Sequence, residues 1–255
     1  MYSHLKKKKT NRKKNAEIVP PTIFVHGYAG TKNSLGKMMS RFREADGATK
    51  TLVITVKSDG TLDISGRFSK FSRKPMIQVL FEDNKSSMQN QTEWLKTVAK
   101  TLKREYHISK IYAVGHSMGG VSLTNYLEQA GSDKSYPQVE KLVLIGAPLN
   151  GLAIGDSAYE LADNGPKTES ERYENLFKER AKISKAVKVY TIAGDLKDGT
   201  KSDGSVPLAS ALSAKFIFDG VSSYKDKVFT GKTAGHSDLH ENTAVDQVIA
   251  EFLWE

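Results

Sequence analysis

One serine lies in a setting that could make it reactive. In "YAVGHSMGGVS", residues 112–122, Ser117 stands two residues after Gly115 and two before Gly119, directly behind an apolar run. A G-x-S-x-G pattern at the junction of a strand and a helix describes a sharp turn that lifts a hydroxyl clear of the sheet. The bare pattern is weak, because glycine-rich turns also carry serines with no chemistry. Its context is what strengthens it: "IYAV" precedes it and a helical pattern follows.

A serine hydroxyl is a poor nucleophile at neutral pH and needs a base, which in turn needs an acid to orient it. On an alternating α/β chain these follow in the order serine, acid, histidine. Of the six histidines, His4, His26, His107, His116, His236 and His240, only His236 and His240 come late enough. His236 sits in the loop "TAGHSDLHEN" and is the favoured base; His240 falls one turn later, entering the last helix, and reads as a capping or supporting residue. Their four-residue spacing could also suit a metal. Glu241, however, follows the second histidine instead of the first, so the zinc arrangement H-E-x-x-H is missing and no metal site is expected.

The loop after "KVYTIAG" offers three acids, Asp195, Asp198 and Asp203. Asp203 opens "DGSVP", where Gly204 permits a tight turn and Pro207 can begin a helix, so its carboxylate is the favoured acid; Asp195 is the alternative. Acyl transfer also needs backbone donors for the developing oxyanion. The Tyr28 amide, turned by Gly27 in "FVHGYAG", and the Met118 amide at the start of the elbow helix are the candidates. The scheme requires no cofactor.

These residues must be positioned by a larger frame. Apolar strand-like runs ("PTIFV", "TLVITV", "PMIQVLF", "KIYAVG", "EKLVLIG", "VKVYTIAGD", "KDKVFT") alternate with amphipathic segments. One of these, "MQNQTEWLKTVAKTLKREY", puts Trp94, Leu95, Val98, Ala99 and Leu102 on one stripe. Asp59-Gly60 marks a hairpin. The alternation predicts an α/β fold with a mostly parallel central sheet, helices on both faces, and a site at the carboxyl ends of the strands. Residues 149–186 break the pattern and read as a short insertion over the site.

The chain has 255 residues, no cysteine and no apolar run long enough to span a membrane, which fits one globular domain over 18–255 without disulfides. Its +9 charge is concentrated at one end. Lys6 to Lys9, Arg12, Lys13 and Lys14 lie in the first 17 residues, which read as a disordered basic tail, and the rest is nearly neutral. A nucleic-acid partner is therefore not expected, whereas the tail is a candidate for peripheral contact with an anionic surface. The domain is expected to be a monomer acting on a small-molecule or lipid-like ester.

"FVHGYAG", "GHSMGG", "GDLKDGTKSDGSVP" and "HSDLHEN" together resemble the α/β-hydrolase superfamily, and more closely a group of bacterial cell-surface hydrolases of unknown substrate. The resemblance covers Pro20 to Trp254. It implies a serine esterase, lipase or amidase with Ser117, Asp203 and His236 as its triad and Tyr28 and Met118 as its oxyanion hole. An ester is the favoured substrate; amidase or thioesterase chemistry, or a non-catalytic binding member of the fold, are the alternatives. The resemblance points to the cell surface, whereas the chain as it stands shows no legible export signal and reads as cytoplasmic.

Overall fold

A computed structural model describes residues 18–153 and 160–255. The basic tail and the 154–159 part of the expected insertion lie outside the described residues.

Strand β1 (Thr22–Val25) alternates its side chains between two faces, Ile23 and Val25 on one and Phe24 on the other, and all are buried. A strand apolar on both faces needs cover on both, and the rest of the chain supplies it. Around β1 lie β2 (Thr49–Val56), β3 (Leu62–Gly66), β4 (Pro75–Phe81), β5 (Lys110–His116), β6 (Gln138–Ile145), β9 (Lys188–Asp195) and β10 (Ser223–Thr230), in the order β10-β9-β6-β5-β1-β4-β2-β3. Every pairing is parallel except β2 with β3, the hairpin expected at Asp59-Gly60. There the Asp59 carboxylate accepts from the Thr61 amide at 2.9 Å and Gly60 takes a φ of 85°.

One face packs α2 (Met88–Glu105) and α3 (Met118–Ala130), and the stripe from Trp94 to Leu102 is buried there as its spacing predicts. The other face packs α1 (Lys32–Asp46) and α5 (Thr243–Trp254) through Met38, Phe42, Val245 and Ile249. Helices α1 and α2 start where their sequence caps them. Thr31 and Ser34 form a reciprocal capping box on α1, and Ser87 accepts from the Asn90 amide at the start of α2.

The segment expected as an insertion has two parts. A two-residue ladder, β7 (Leu161–Ala162) with β8 (Gly165–Pro166), was not foreseeable from so short a pattern. Beyond it, α4 (Glu171–Glu179) drives Tyr173 and Leu176 fully into the main core. Two such side chains contribute roughly 3–6 kcal/mol by burial, so this half of the segment is part of the domain's body. Asn150, itself buried, ties the near end down: its amide nitrogen donates to the Thr168 carbonyl at 2.9 Å and its side-chain oxygen accepts from the Ser170 amide at 2.8 Å.

On α3, Glu128 faces inward with Oε1 buried and, among the described residues, unpartnered. Burial, with Glu179 nearby, pushes its carboxyl up to about 9. The folded state therefore keeps a proton that the unfolded chain loses at its ordinary value near 4.5. Stability is fully present below that value and is lost as pH rises toward about 9, by up to about 1.4 kcal/mol per pH unit. Glu128→Gln is expected to be more stable than wild type at pH about 8, with the difference shrinking toward pH about 5; denaturant unfolding at both pH values measures it.

Candidate active site

The site begins at the end of β5, a central strand flanked by β1 and β6. Ser117 follows it with φ 53° and ψ −124°, a backbone state that L-residues rarely occupy and that costs about 1–3 kcal/mol unless neighbours enforce it. Three hydrogen bonds enforce it. The Ser117 amide donates to the Ile145 carbonyl of β6 at 2.8 Å, and the Ser117 carbonyl accepts from Gly120 and Val121 at 3.0 and 3.2 Å. Close approach then dictates glycine: a Cβ on Gly119 would lie 2.4 Å from the Val25 carbonyl oxygen and one on Gly115 would lie 2.6 Å from the Gly120 nitrogen.

The loop after β1 comes against the serine, since a Cβ at Gly27 would sit 2.8 Å from that of Ser117. Asn84 holds this loop from both sides, its carbonyl accepting from the Ala29 amide and its side-chain nitrogen donating to the Gly30 carbonyl, both at 2.8 Å. Among the described residues neither the Tyr28 nor the Met118 amide donates to a protein acceptor. Both remain available to a ligand, and Met118 opens a helix whose N-terminus favours negative charge.

Asp203 and His236 come from the loops after β9 and β10. The Asp203 Oδ2 accepts from His236 Nδ1 at 2.8 Å, and the His236 amide donates to the Asp203 carbonyl at 2.8 Å. A carboxylate only accepts, so Nδ1 carries a proton, and in the neutral ring Nε2 is left as the acceptor. Asp203 is 3% exposed, and its other oxygen accepts from the Ser205 and Val206 amides at 2.9 and 2.6 Å. This is the "DGSV" turn, with Gly204 at φ 88°. The pair lies over the end of β6, where a Cβ on Gly146 would stand 3.1 Å from Asp203 Oδ2 and 3.2 Å from His236 Nδ1.

The competing acids are occupied elsewhere. Asp195 binds its own loop through the Lys197 amide at 2.9 Å and the Lys197 ammonium at 2.8 Å, and these contacts hold its carboxyl below the usual range. Asp198 accepts from Thr200 and is exposed. Among the described residues no group of three or more histidine, cysteine, aspartate or glutamate side chains is placed to hold a metal ion.

One residue escaped the sequence reading. His116 Nε2 lies 2.9 Å from the His236 carbonyl oxygen, which can only accept, so Nε2 carries the proton and ties the elbow to the His236 loop. Its ring lies 4.6 Å from that of His236 at a tilt of 41° and meets His240 edge-on at 4.7 Å. The only signal in the sequence was adjacency to Ser117, which says nothing of where the ring points.

Three histidines here are buried and kept neutral. Desolvation pushes His116 well below its ordinary value of 6.5 and also lowers His26 and His240. The Phe81 amide donates to His26 Nε2 at 3.1 Å, a bond that needs the neutral ring.

With the geometry in view, the fold and the elbow define an α/β-hydrolase. The chain belongs to the family described as "Alpha/beta hydrolase of unknown function (DUF915)", whose profile matches residues 8–255. The product of gene lin2722 from Listeria innocua is 30% identical, with 93% of this chain and 94% of that one covered and a TM-score of 0.88. A Lactobacillus plantarum protein named "putative cell surface hydrolase" is 28% identical, with 93% and 92% covered and a TM-score of 0.78. The carboxylesterase CesB from Bacillus subtilis shares the fold at 15% identity, with 93% and 85% covered and a TM-score of 0.54. No curated protein matches the chain significantly. No helix among the described residues is long and apolar enough to cross a membrane.

The buried histidines make a measurable expectation. Below pH about 6.5 the unfolded chain binds protons that the folded rings refuse, so stability falls by up to about 1.4 kcal/mol per histidine and pH unit until each folded value is reached. Glu128 acts in the opposite sense over that range, so the loss is cleanest in Glu128→Gln. Denaturant unfolding of that variant at pH about 7 and about 5.5 is expected to show a clear fall, and a flat profile would remove the neutral-histidine account.

Proposed function

We propose that the protein is a serine hydrolase that cleaves a carboxylic ester, small or lipid-like, through an acyl-enzyme intermediate. The observation that carries the reading is the pairing of a strained serine elbow with a buried aspartate that fixes the tautomer of His236. His236 Nε2, left unprotonated, takes the hydroxyl proton as Ser117 Oγ attacks the ester carbonyl. The Tyr28 and Met118 amides hold the resulting oxyanion. Collapse of the tetrahedral adduct breaks the bond to the alcohol, which leaves with the proton from His236. Water, deprotonated by the same ring, then releases the acid and restores Ser117. Asp203 stays ionised throughout and stabilises the imidazolium.

The name of the Bacillus subtilis relative, a carboxylesterase, agrees with the choice of an ester. We further assign substrate selection to the segment that opens the insertion, where Leu152 is half exposed beside the buried Asn150 anchor. Cell-surface action, suggested by the name of the Lactobacillus plantarum relative, belongs to this reading too. So does a monomeric state.

A fluorophosphonate probe is expected to label wild type at Ser117 and to leave Ser117→Ala unlabelled; persistent labelling in the variant would refute the assignment. A panel of esters, amides and thioesters of graded acyl length, run on both proteins, separates the bond classes, and Leu152→Asp is expected to shift the preferred acyl length. The acid is tested by turnover normalised to the fraction folded. Asp203→Asn should lose most of it, since the comparable change in a serine protease costs about 10⁴, whereas Asp195→Asn should keep turnover and lose thermal stability.

A further inference from the structure

The end of the sheet opposite Ser117 carries a feature that hydrolysis does not use. The connection from β3 to β4, residues 67–74, reads "RFSKFSRK": four cations, two phenylalanines and no acid. It lies at the amino ends of the parallel strands, because Gly66 pairs with Leu52 and Thr49 with Pro75. Phe68 roots it, packing edge-on against Tyr106 at 6.2 Å. A turn then closes, with the Ser72 amide donating to the Ser69 carbonyl at 3.0 Å and the Phe71 amide to the Ser69 hydroxyl at 3.2 Å. The result is a built tip that presents Phe71 at 80% exposure.

Three of the cations around that tip, Arg67, Lys70 and Arg73, are exposed and among the described residues have no ion pair, and the Lys70 ammonium lies 5.2 Å from the centre of the Phe71 ring. Lys74 is committed to Asp46, and Lys110 nearby is committed to Glu140. Ile18, itself 59% exposed, enters the fold in the same place, where it lines with Phe68, Lys70, Tyr106 and Ile108 a groove of about 570 Å³. Seven basic residues precede it between Lys6 and Lys14.

We infer that this end of the molecule docks on an anionic phospholipid bilayer, with Phe71 inserted among the headgroups and Arg67, Lys70 and Arg73 held against the surface. An exposed aromatic ring ringed by unpaired cations is the composition of an interfacial anchor, in which apolar burial and attraction to anionic lipid add. A soluble polyanion would use the same cations and leave the phenylalanine without a purpose. The bilayer is therefore the better match, and the polyanion becomes an outcome of the test.

The experiment is flotation of the full chain with vesicles of equimolar phosphatidylglycerol and phosphatidylcholine, against vesicles of phosphatidylcholine alone, at roughly physiological salt. Wild type should float with the anionic vesicles only. Neutralising Arg67, Lys70 and Arg73 together to Gln should weaken partitioning about 100-fold, given about fivefold per cation. Phe71→Ala should weaken it about tenfold. The tip is solvent-exposed, so thermal melts of these variants should match wild type. In Phe71→Trp the added indole emission should shift to the blue on the anionic vesicles and not with heparin. Loop variants that float as wild type does would assign all binding to residues 6–14 and overturn the proposal. Equal binding to heparin with no effect of Phe71→Ala would replace the bilayer by a polyanion, and an absence of flotation would end it.

Discussion

A serine held at positive φ is the constraint on which the rest of the site depends. The state costs about 1–3 kcal/mol and cannot be maintained by the turn alone. It persists because the amide of Ser117 is fastened to β6, its carbonyl is fastened to α3, and Gly119 lets the helix press onto the carbonyls of β1. Each of those contacts requires β5 to lie between β1 and β6. Strand order is thus what makes the elbow affordable. The same order sets the loops after β1, β5 and β6 side by side and brings β9 and β10, with Asp203 and His236, next in line.

Around that elbow the protein keeps basic rings neutral by burying them. His116 illustrates why this is useful. A neutral ring with its proton on Nε2 can hold the His236 carbonyl at 2.9 Å without placing a second cation 4.6 Å from the ring we propose as the base. A charged His116 would oppose formation of the His236 imidazolium, since at that distance like charges repel by about 1 kcal/mol even in water and by more in a partly buried site. His26 behaves alike, accepting from Phe81 at the foot of the Tyr28 loop. The same burial lowers acid tolerance, so positioning and stability at low pH are opposed in this fold.

Much of this frame was legible in the sequence because it depends on burial. Apolar runs of strand length, the stripe from Trp94 to Leu102 and the glycines around Ser117 are patterns that local physics makes nearly unambiguous, and their elements fall where they were expected. What escaped depends on where amides point. The turn "DGSVP" favours Asp203 in the sequence without setting Asp195 aside; only the folded loop shows that Lys197 and Thr200 satisfy Asp195 and Asp198 and leave Asp203 to His236. The polar stretch after residue 149 reads as an insertion throughout, yet Tyr173 and Leu176 sit in the core, because two apolar residues three apart on a short helix are too few to mark a buried face. The ring direction of His116 leaves no trace in sequence at all.

The parallel sheet also separates two kinds of surface. Chemistry requires the carboxyl ends of the strands, where loops and the α3 N-terminus converge on Ser117, and nothing about it constrains the amino ends beyond keeping the strands in register. Those ends lie about 20 Å away along the length of β5, farther than the screening length of about 8 Å at physiological salt. Cations at Arg67, Lys70 and Arg73 therefore act on what meets that end and scarcely on the Ser117 end. Docking through the β3–β4 tip would leave the Ser117 mouth facing away from the surface, so the ester would reach it from the aqueous side. A fold organised in this way can acquire or lose an anchor without retuning its catalytic groups.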